Sequence, residues 1–417
     1  MSFYDMDVVQ HLTQRARHEG GSNSLAVVAP LLQIQDRASE AESLLREQLR
    51  LIDRASTATR IQRATFLYSL ASVLKAQGKH LEAEHLLREE LAHFSAPMSS
   101  EDSAQSTLLH ALASVLKHQG KPTEAEALLR RSIQCTSGKS IAGQNFLALR
   151  QRELAECLVE RGEHDEARTL LRSSLSLTQR VEGTHSLEYA RSALTLSTLL
   201  LQRGESAEAE ALLRSALRGQ EEGQRERSPV HVPLLSALAI ILYSRGEFAE
   251  TEDVLRRALL ILDTGMNVPA QKERLLMNLA INTIAQGRYD EAERILRQTI
   301  TSNEQDPKPR VLPLRESLLT LGNLLWRQGR AQEAEPLLSR ALAMPEVPSS
   351  QHETTTFNEL GFLLQVQVRV GSPHARGTAL KLSKMIDQRP ELAQTTAREL
   401  LELIHGITQS SSDGTSP

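Results

Sequence analysis

Residues 108–129, with the sequence LLHALASVLKHQGKPTEAEALL, contain the pattern that decides the fold. Apolar side chains recur at intervals of three and four residues on both sides of Gly120, which is the spacing of one helical face. Ala113 stands seven residues before the glycine, and Ala125 and Leu129 stand five and nine residues after it. The pattern predicts two helices that pack closely through small residues and are joined by a tight turn at a left-handed glycine.

The same pattern recurs at a fixed period along the chain. Successive turn glycines are 41 or 42 residues apart, and stepping one period beyond them reaches Asp36 and Gly371, where the pattern is degenerate. Nine repeats are therefore in register. A period of this length predicts an all-α solenoid of stacked antiparallel helix pairs. The seven clear turn glycines are Gly78, Gly120, Gly162, Gly204, Gly246, Gly287 and Gly329.

The composition supports closely packed helices. The chain has one Trp, five Tyr and seven Phe in 417 residues, so leucine and alanine must fill most of the core, whereas strands favour β-branched and aromatic residues. The formal net charge of −4 disfavours a general binder of nucleic acid or of anionic membranes. Because no secretory signal or membrane-length apolar run is present, a cytoplasmic protein is expected, and the excess of Arg over Lys suggests a bacterial source.

These repeats resemble the tetratricopeptide repeat (TPR). The family pattern maps onto Leu112, Gly120, Ala125 and Leu129, with leucine in most of the family's aromatic positions. The stretched period resembles the long-helix variety found in kinesin light chains and in many bacterial regulators. The resemblance covers roughly residues 22–400. It implies a right-handed superhelix whose concave side is lined by the first helix of each pair, here called helix A.

The repeat also predicts the domain organisation. Residues 1–21 are expected to form an N-terminal capping helix and turn, residues 22–377 the TPR solenoid, and residues 378–407 the C-terminal capping helices. Residues 408–417 lack apolar side chains and are expected to form a disordered tail. The turns of the nine repeats are expected near residues 36, 78, 120, 162, 204, 246, 287, 329 and 371.

The resemblance further implies where a partner binds. In the family, the groove-facing positions of helix A lie ten, six and three residues before the turn glycine. In this chain those positions are polar and basic in the N-terminal half and apolar and aromatic in the C-terminal half. The predicted partner-binding residues are Tyr68, Lys75, His110, Lys117, Arg152, Ile240, Tyr243, Met277, Ile284, Leu319, Asn323 and Trp326. They predict a protein partner, a peptide or helix segment that is partly acidic and partly apolar.

Two interpretations of the apolar half remain open at this point. It could bind the partner, with Trp326 as an anchor, or it could be covered by the chain's own residues 378–407 or by the next coil of the superhelix. The ends of the solenoid could also be capped by a second copy of the chain, so a homo-oligomer is an alternative to a monomer.

We find no sequence motif for catalysis, for a cofactor or for a metal ion. The two cysteines exclude a disulfide framework. Cys157 occupies a core position of the repeat, whereas Cys135 lies near a connector and could be exposed. The favoured function is a non-enzymatic scaffold or adaptor that binds a partner in the concave groove. The alternative is a peptide-responsive regulatory sensor that acts through a partner protein, and an enzyme is the least favoured class.

Overall fold

The computed structural model describes residues 37–52, 57–94, 103–223, 230–265, 269–306, 310–344, 352–389, 392 and 398–409. All regular secondary structure in these ranges is helical, which confirms the predicted all-α fold class. The predicted capping helix at residues 1–21 and most of the predicted tail at residues 408–417 lie outside the described residues.

The described residues contain eighteen helices. They are α1 (Ala38–Leu51), α2 (Thr57–Ala76), α3 (His80–Leu91), α4 (Ser103–His118), α5 (Pro122–Gln134), α6 (Ile141–Glu160), α7 (His164–Val181), α8 (Leu187–Gln202), α9 (Ser206–Glu222), α10 (His231–Ser244), α11 (Phe248–Gly265), α12 (Pro269–Ala285), α13 (Tyr289–Glu304), α14 (Val311–Arg327), α15 (Ala331–Leu342), α16 (His352–Val370), α17 (Ala375–Gln388) and α18 (Arg398–Gln409).

The chain divides into two compact bodies, an N-terminal body of Met1–Ile241 and a C-terminal body of Leu242–Pro417. Within each body, consecutive helices pack against each other as the helix pairs of a solenoid. Helices A of successive repeats are also neighbours: α2 contacts α4 and α6 contacts α8 in the N-terminal body, and α12 contacts α14 in the C-terminal body. This arrangement places the helix A positions of adjacent repeats side by side.

The turn glycines adopt the left-handed conformation that the sequence predicts. Gly78 has a φ of 76°, and Gly287 has a φ of 75°. The residue after each glycine then closes the end of helix A: the Lys79 amide donates to the Leu74 carbonyl at 2.8 Å, and the Arg288 amide donates to the Thr283 carbonyl at 2.9 Å. These bonds satisfy carbonyl groups that a helix end otherwise leaves without a partner.

The small residues of the repeat lie where the two helices of a pair meet. The alanine five residues after the turn glycine is fully buried wherever it occurs from Gly78 to Gly329, and Thr251, which replaces it once, is also buried. At Gly322 the approach is closest, because an added Cβ would lie 2.6 Å from Cδ2 of Leu338. Close packing of the two helices therefore depends on these small side chains.

A ladder of ion pairs joins successive second helices, called helix B, within each body. The arginine ten residues after the turn contacts a glutamate on the next helix B, and each arginine named here except Arg172 also contacts a glutamate on its own helix. Arg130 donates to Glu126 at 2.9 Å and to Glu166 at 2.6 Å. The equivalent inter-helix pairs are Arg46–Glu82, Arg88–Glu124, Arg172–Glu208, Arg256–Glu291 and Arg297–Glu333.

Replacing Gly287 by alanine should destabilise the C-terminal body. Its φ of 75° is strained for any residue with a Cβ, at a cost of about 1–2 kcal/mol. Gly377 is the matched control, because it lies in α17 and an added Cβ there would meet open space. Gly377→Ala should stabilise the protein by up to about 1 kcal/mol, since alanine is the better helix former. Urea denaturation measures both changes, and a neutral or stabilising Gly287→Ala would contradict the turn geometry.

The ladder should contribute a small, salt-sensitive coupling between repeats. A double-mutant cycle on Arg130→Ala and Glu166→Ala should give about 0.2–1 kcal/mol of coupling in the free energy of unfolding, because the pair is partly exposed. The coupling should fall in 1 M salt. The same cycle on Arg130 and Glu208, which are not neighbours in the ladder, should give no coupling. Equal coupling energies in the two cycles would show that the ladder has no effect of its own.

Candidate functional site: the helix A surfaces

The predicted polar residues come together on neighbouring helices A of the N-terminal body. The ring of Tyr68 on α2 stacks on the ring of His110 on α4, with centroids 5.6 Å apart and an angle of 16° between the planes. On the same two helices, Nζ of Lys75 donates to Oγ of Ser114 at 2.9 Å. We call this region the polar surface, and it consists of Tyr68, Lys75, His110, Lys117 and Arg152.

A hydrogen-bonded pair of a buried His110 and a half-buried Glu153 lies at the centre of the polar surface. His110 is only 3% exposed, and its Nε2 atom lies 2.7 Å from Oε2 of Glu153 on α6. Burial alone would raise the pKa of the Glu153 carboxyl, but His110, together with Arg152 and Lys117, lowers it to about 2. Glu153 is therefore ionised at neutral pH and holds His110 in place beneath Tyr68.

Two of the three predicted cations are neutralised within the protein. Nζ of Lys117 lies 2.5 Å from Glu156, and Nε of Arg152 lies 2.5 Å from Glu188 on α8. Arg152 also pairs with Glu156 and is 7% exposed. The prediction assigned these cations to an acidic partner and left out the carboxylates that face them. The signal lay in the sequence, because Glu156 and Glu188 follow Lys117 and Arg152 by 39 and 36 residues, close to one repeat.

Lys75 differs from the other two cations. It forms no ion pair with any carboxylate of the described residues, and its partner is the neutral hydroxyl of Ser114. Burial lowers the pKa of Lys75, although the nearby Glu153 carboxylate acts in the opposite direction. A small pocket of about 30 Å³ opens beside it between α2 and α4. The pocket is lined by Tyr68, Ala71, Ser72, Lys75, Ala111, Ser114 and Val115.

The predicted apolar residues are divided between the two bodies. Ile240 belongs to the N-terminal body and is 56% exposed. The other five lie in the C-terminal body, and we call them the apolar surface: Tyr243, Met277, Ile284, Leu319 and Trp326. Tyr243 is 38% exposed and packs edge-on against Phe248, with ring centroids 5.6 Å apart.

The other residues of the apolar surface also pack against the core of the C-terminal body. Met277, Ile284, Leu319 and Trp326 are partly buried against the core formed by α12 to α16. Trp326 packs edge-on against Phe362, with ring centroids 6.1 Å apart. Between Met277 and Ile284 on α12, Ile281 leaves 37% of its surface exposed. Asn323 is exposed, and its Nδ2 donates to the Leu319 carbonyl of the same helix at 3.1 Å.

The C-terminal helices have a cluster of their own. α17 packs against α16 and α18. The apolar side chains of these helices surround Phe357 of α16 in a cluster that includes Leu382, Leu400 and Ile404. Most of the apolar residues that could have covered the apolar surface are thus packed in the cluster around Phe357.

The last helix also ends at Gln409 rather than at residue 407, so the first two residues of the predicted tail are helical.

The expected exposure of Cys135 is wrong. Cys135 is 2% exposed; its amide donates to the Arg131 carbonyl at 3.1 Å and the Thr136 amide donates to the Ile133 carbonyl at 3.0 Å, so the last helical turn extends past Gln134. Cys157 is buried as predicted, and burial raises the pKa of its thiol to about 11.

Among the described residues no group of His, Cys, Asp and Glu side chains could hold a metal ion. None of the described helices is long and apolar enough to cross a membrane.

The turns, the helix pairs and the neighbouring helices A define a TPR-type α-solenoid. The model of the MalT-like TPR region matches residues 22–347, and the chain belongs to this family. No curated protein matches the sequence.

Solved structures show the same fold. The apo form of RapI is 12% identical, with a TM-score of 0.61 over 89% of this chain and 97% of that one. A Signal Transduction ATPase with Numerous Domains, with a tetratricopeptide repeat sensor, from Pyrococcus horikoshii is 11% identical, with a TM-score of 0.57 over 80% of this chain and 51% of that one. A tetratricopeptide repeat protein from Parabacteroides merdae is 16% identical, with a TM-score of 0.47 over 72% of this chain and 98% of that one.

The Glu153 carboxylate should make stability depend on pH in the acid range. Its pKa is lowered from the usual 4.5 to about 2, so its contribution is complete above pH 4.5 and is lost as the pH falls towards 2. Glu153→Gln should therefore destabilise the protein at pH 7, and the difference from wild type should shrink as the pH falls from 4.5 to 2.

Urea denaturation at several pH values measures this difference. Glu89→Gln is the control, because Glu89 is an exposed residue of α3 and its substitution should change little at any pH. A constant difference between wild type and Glu153→Gln across the acid range would contradict the assigned ion pair.

Proposed function

We propose that the chain is a non-enzymatic scaffold or adaptor that binds a peptide or helix of another protein on its helix A surfaces. The observation that carries this proposal is the exposed part of the apolar surface. Tyr243 and Ile281 stand three and six residues before their turn glycines and each leave more than a third of their surface exposed, although apolar side chains of the C-terminal helices are available and pack around Phe357 instead. Exposed apolar side chains grouped on one face are typical of a partner-binding site.

The chemistry of the apolar surface suits an apolar anchor of the partner. Trp326 is held by Phe362 and by the core, so little side-chain freedom is left to lose on binding. Tyr and Trp side chains dominate the energetics of many protein interfaces, because they bury a large area at small entropic cost. Ile240, which belongs to the N-terminal body, is also exposed and is a separate candidate contact on that body.

Differential capture tests the proposal. Partners are captured with the wild-type chain, with Tyr243→Ala/Ile281→Ser, and with the matched control Tyr289→Ala/Leu260→Ser, whose residues are 42% and 62% exposed on helices B of the same body. A partner that is lost only with the first variant supports binding on helix A. A partner retained by the first variant and lost with the control would move the interface to helices B and contradict the proposal.

Trp326 is tested separately, because it also supports the core. Trp326→Ala should reduce both the stability of the C-terminal body and partner binding, since its ring packs against Phe362. Trp326→Phe keeps most of the packing and should retain more of the stability than of the binding. If binding fell only in proportion to stability in both variants, the loss of binding would follow from lost packing, and Trp326 would act in the core alone.

A regulatory sensor that acts through a partner protein is the second candidate. It is favoured by the likeness to the Pyrococcus horikoshii protein, which carries a tetratricopeptide repeat sensor. A sensor must change shape when its ligand binds, whereas a scaffold can bind with little change. Small-angle X-ray scattering with and without a captured peptide separates the two, because a sensor should change its radius of gyration and a scaffold should not.

A further inference from the structure

The last helix B, α17, differs in charge from every earlier helix B. From α1 to α15, each helix B has a glutamate four residues after the turn position, such as Glu166, which receives Arg130 in the ladder. In α17 that position is Ala375, and Asp387 is the only acidic residue of the helix. Residues 369–389 include five basic residues and one acidic residue, a net charge of +4 in a chain whose net charge is −4. The acidic half of the ladder is therefore missing from α17.

α17 also exposes an apolar side chain that the repeat pattern assigns to the core. The helices B from α3 to α15 begin two residues after their turn glycines, whereas α17 begins four residues after Gly371. Two residues turn a helix by about 200°, so the leucine nine residues after the glycine, which is buried in the earlier repeats, faces outwards here. That leucine, Leu380, is 51% exposed, and Leu382 is fully buried in its place.

The exposed face of α17 is one continuous stripe, which we call the outer stripe. It consists of Gly377, Leu380, Lys381 and Lys384, whose spacing places them on one side of the helix, and all four are exposed. Neither lysine has an ion pair or a hydrogen bond within the part of the chain that the structure describes. Asp387 follows at the end of the same face, so one carboxylate accompanies two lysines. The outer stripe thus combines an exposed leucine with an excess of positive charge.

Gly377 leaves room beside Leu380 for a second backbone. An added Cβ at Gly377 would meet no atom within 4 Å, so the packing of α17 does not require a glycine there. Glycine within a helix also costs up to about 1 kcal/mol relative to alanine. The missing side chain does allow another chain to approach α17 closely. This favours a contact from outside over a role in the fold.

The small number of charges selects the kind of partner. Binding to nucleic acid through phosphates commonly uses about 6–10 contacts, and lipid-binding segments carry about 4–8 clustered basic residues, whereas the outer stripe has two lysines. Two lysines beside a leucine match one side of an acidic amphipathic helix, which places carboxylates and apolar side chains at intervals of three and four residues. The protein joins its own helices B in this way, because Glu166 reaches back to Arg130 on the helix B before it.

We propose that the outer stripe binds an acidic amphipathic helix of a partner protein, which lies against α17 as a further helix B would. Carboxylates of the partner helix pair with Lys381 and Lys384, apolar side chains cover Leu380, and the two backbones approach most closely at Gly377. The outer stripe lies on a helix B, so this contact is additional to the one proposed on the helix A surfaces.

Three synthetic peptides test the proposal. The acidic helix consists of three copies of the heptad AELEALE, acetylated and amidated; the neutral helix has glutamine in place of every glutamate; and the broken peptide is the acidic sequence with one proline in each heptad. Each is titrated into full-length protein labelled with ¹⁵N-lysine at constant ionic strength. The amide resonances of Lys381 and Lys384, identified by their absence in Lys381→Gln and Lys384→Gln, report on the outer stripe.

The acidic helix should shift both resonances with saturation, and the neutral helix and the broken peptide should not. Lys381→Gln/Lys384→Gln should weaken binding of the acidic helix about tenfold, as measured by calorimetry, because both charged contacts are lost. Lys79→Gln/Lys121→Gln is the matched control, since it removes the same charge from lysines that already pair with glutamates on helices B. The control should bind like wild type.

Gly377→Gln separates binding from folding. Glutamine is a better helix former than glycine and its side chain enters open space, so the free energy of unfolding should not fall. The added side chain should still keep the partner backbone away and weaken binding of the acidic helix about tenfold. Loss of binding without loss of stability assigns Gly377 to the contact.

Every other outcome would overturn the proposal. The absence of any shift, or equal shifts from the acidic and neutral helices, would exclude an acidic ligand. Equal binding of the broken peptide would exclude a helix as the ligand, and equal losses in the two lysine pairs would show general attraction between charges. Tyr243→Ala/Ile281→Ser should bind the acidic helix like wild type, so failure of the outer stripe is distinguishable from failure of the contact proposed on helix A.

Discussion

The left-handed glycine at each turn is the constraint on which the rest of the structure depends. Because φ lies between 65° and 83° at the turn glycines from Gly78 to Gly371, each helix A ends at an equivalent point and each helix B begins in the same direction. The small residue five positions later, which is alanine in all clear repeats except for Thr251, is then buried. Side chains three, six and ten residues before the glycine are consequently brought to one side of the molecule within each body.

The two sides of the helix pairs use charge in different ways. On helices B, Arg130 and its equivalents are shared between two glutamates at partly exposed positions, which links one repeat to the next at small energetic gain. On helices A of the N-terminal body, His110 and Arg152 are buried with their carboxylates, where an unpaired charge would be costly. Both arrangements occur in both bodies, because Arg315 on α14 of the C-terminal body is also buried and pairs with Glu359 on α16.

The local features could be predicted from the sequence, whereas for the pairing across repeats the sequence offers only carboxylates that stand about one repeat away. A glycine turn and a buried alanine depend on residues within one helix pair, so the positions of Gly120 and Ala125 follow directly from the pattern. The partners of His110 and Arg152 stand 43 and 36 residues away, and which carboxylate each one reaches depends on the offset between adjacent helices A. The burial of Cys135 is a similar case, because the end of α5 packs against α4 and α6, where the next residue, Thr136, bonds to Ser106 and Arg150.

The cations of the polar surface differ in how the fold neutralises them. A buried charge that serves the fold should have a counter-charge, since leaving it without one costs more than an apolar replacement would. His110, Lys117 and Arg152 satisfy that condition with Glu153, Glu156 and Glu188. Lys75 does not, although it shares the surface and stands in the same position of its repeat as Lys117. Arg150, which is 3% exposed, likewise has a hydroxyl as its partner, that of Thr136, and the charge of the Glu153 carboxylate acts on both Lys75 and Arg150, so several cations of this region share one carboxylate.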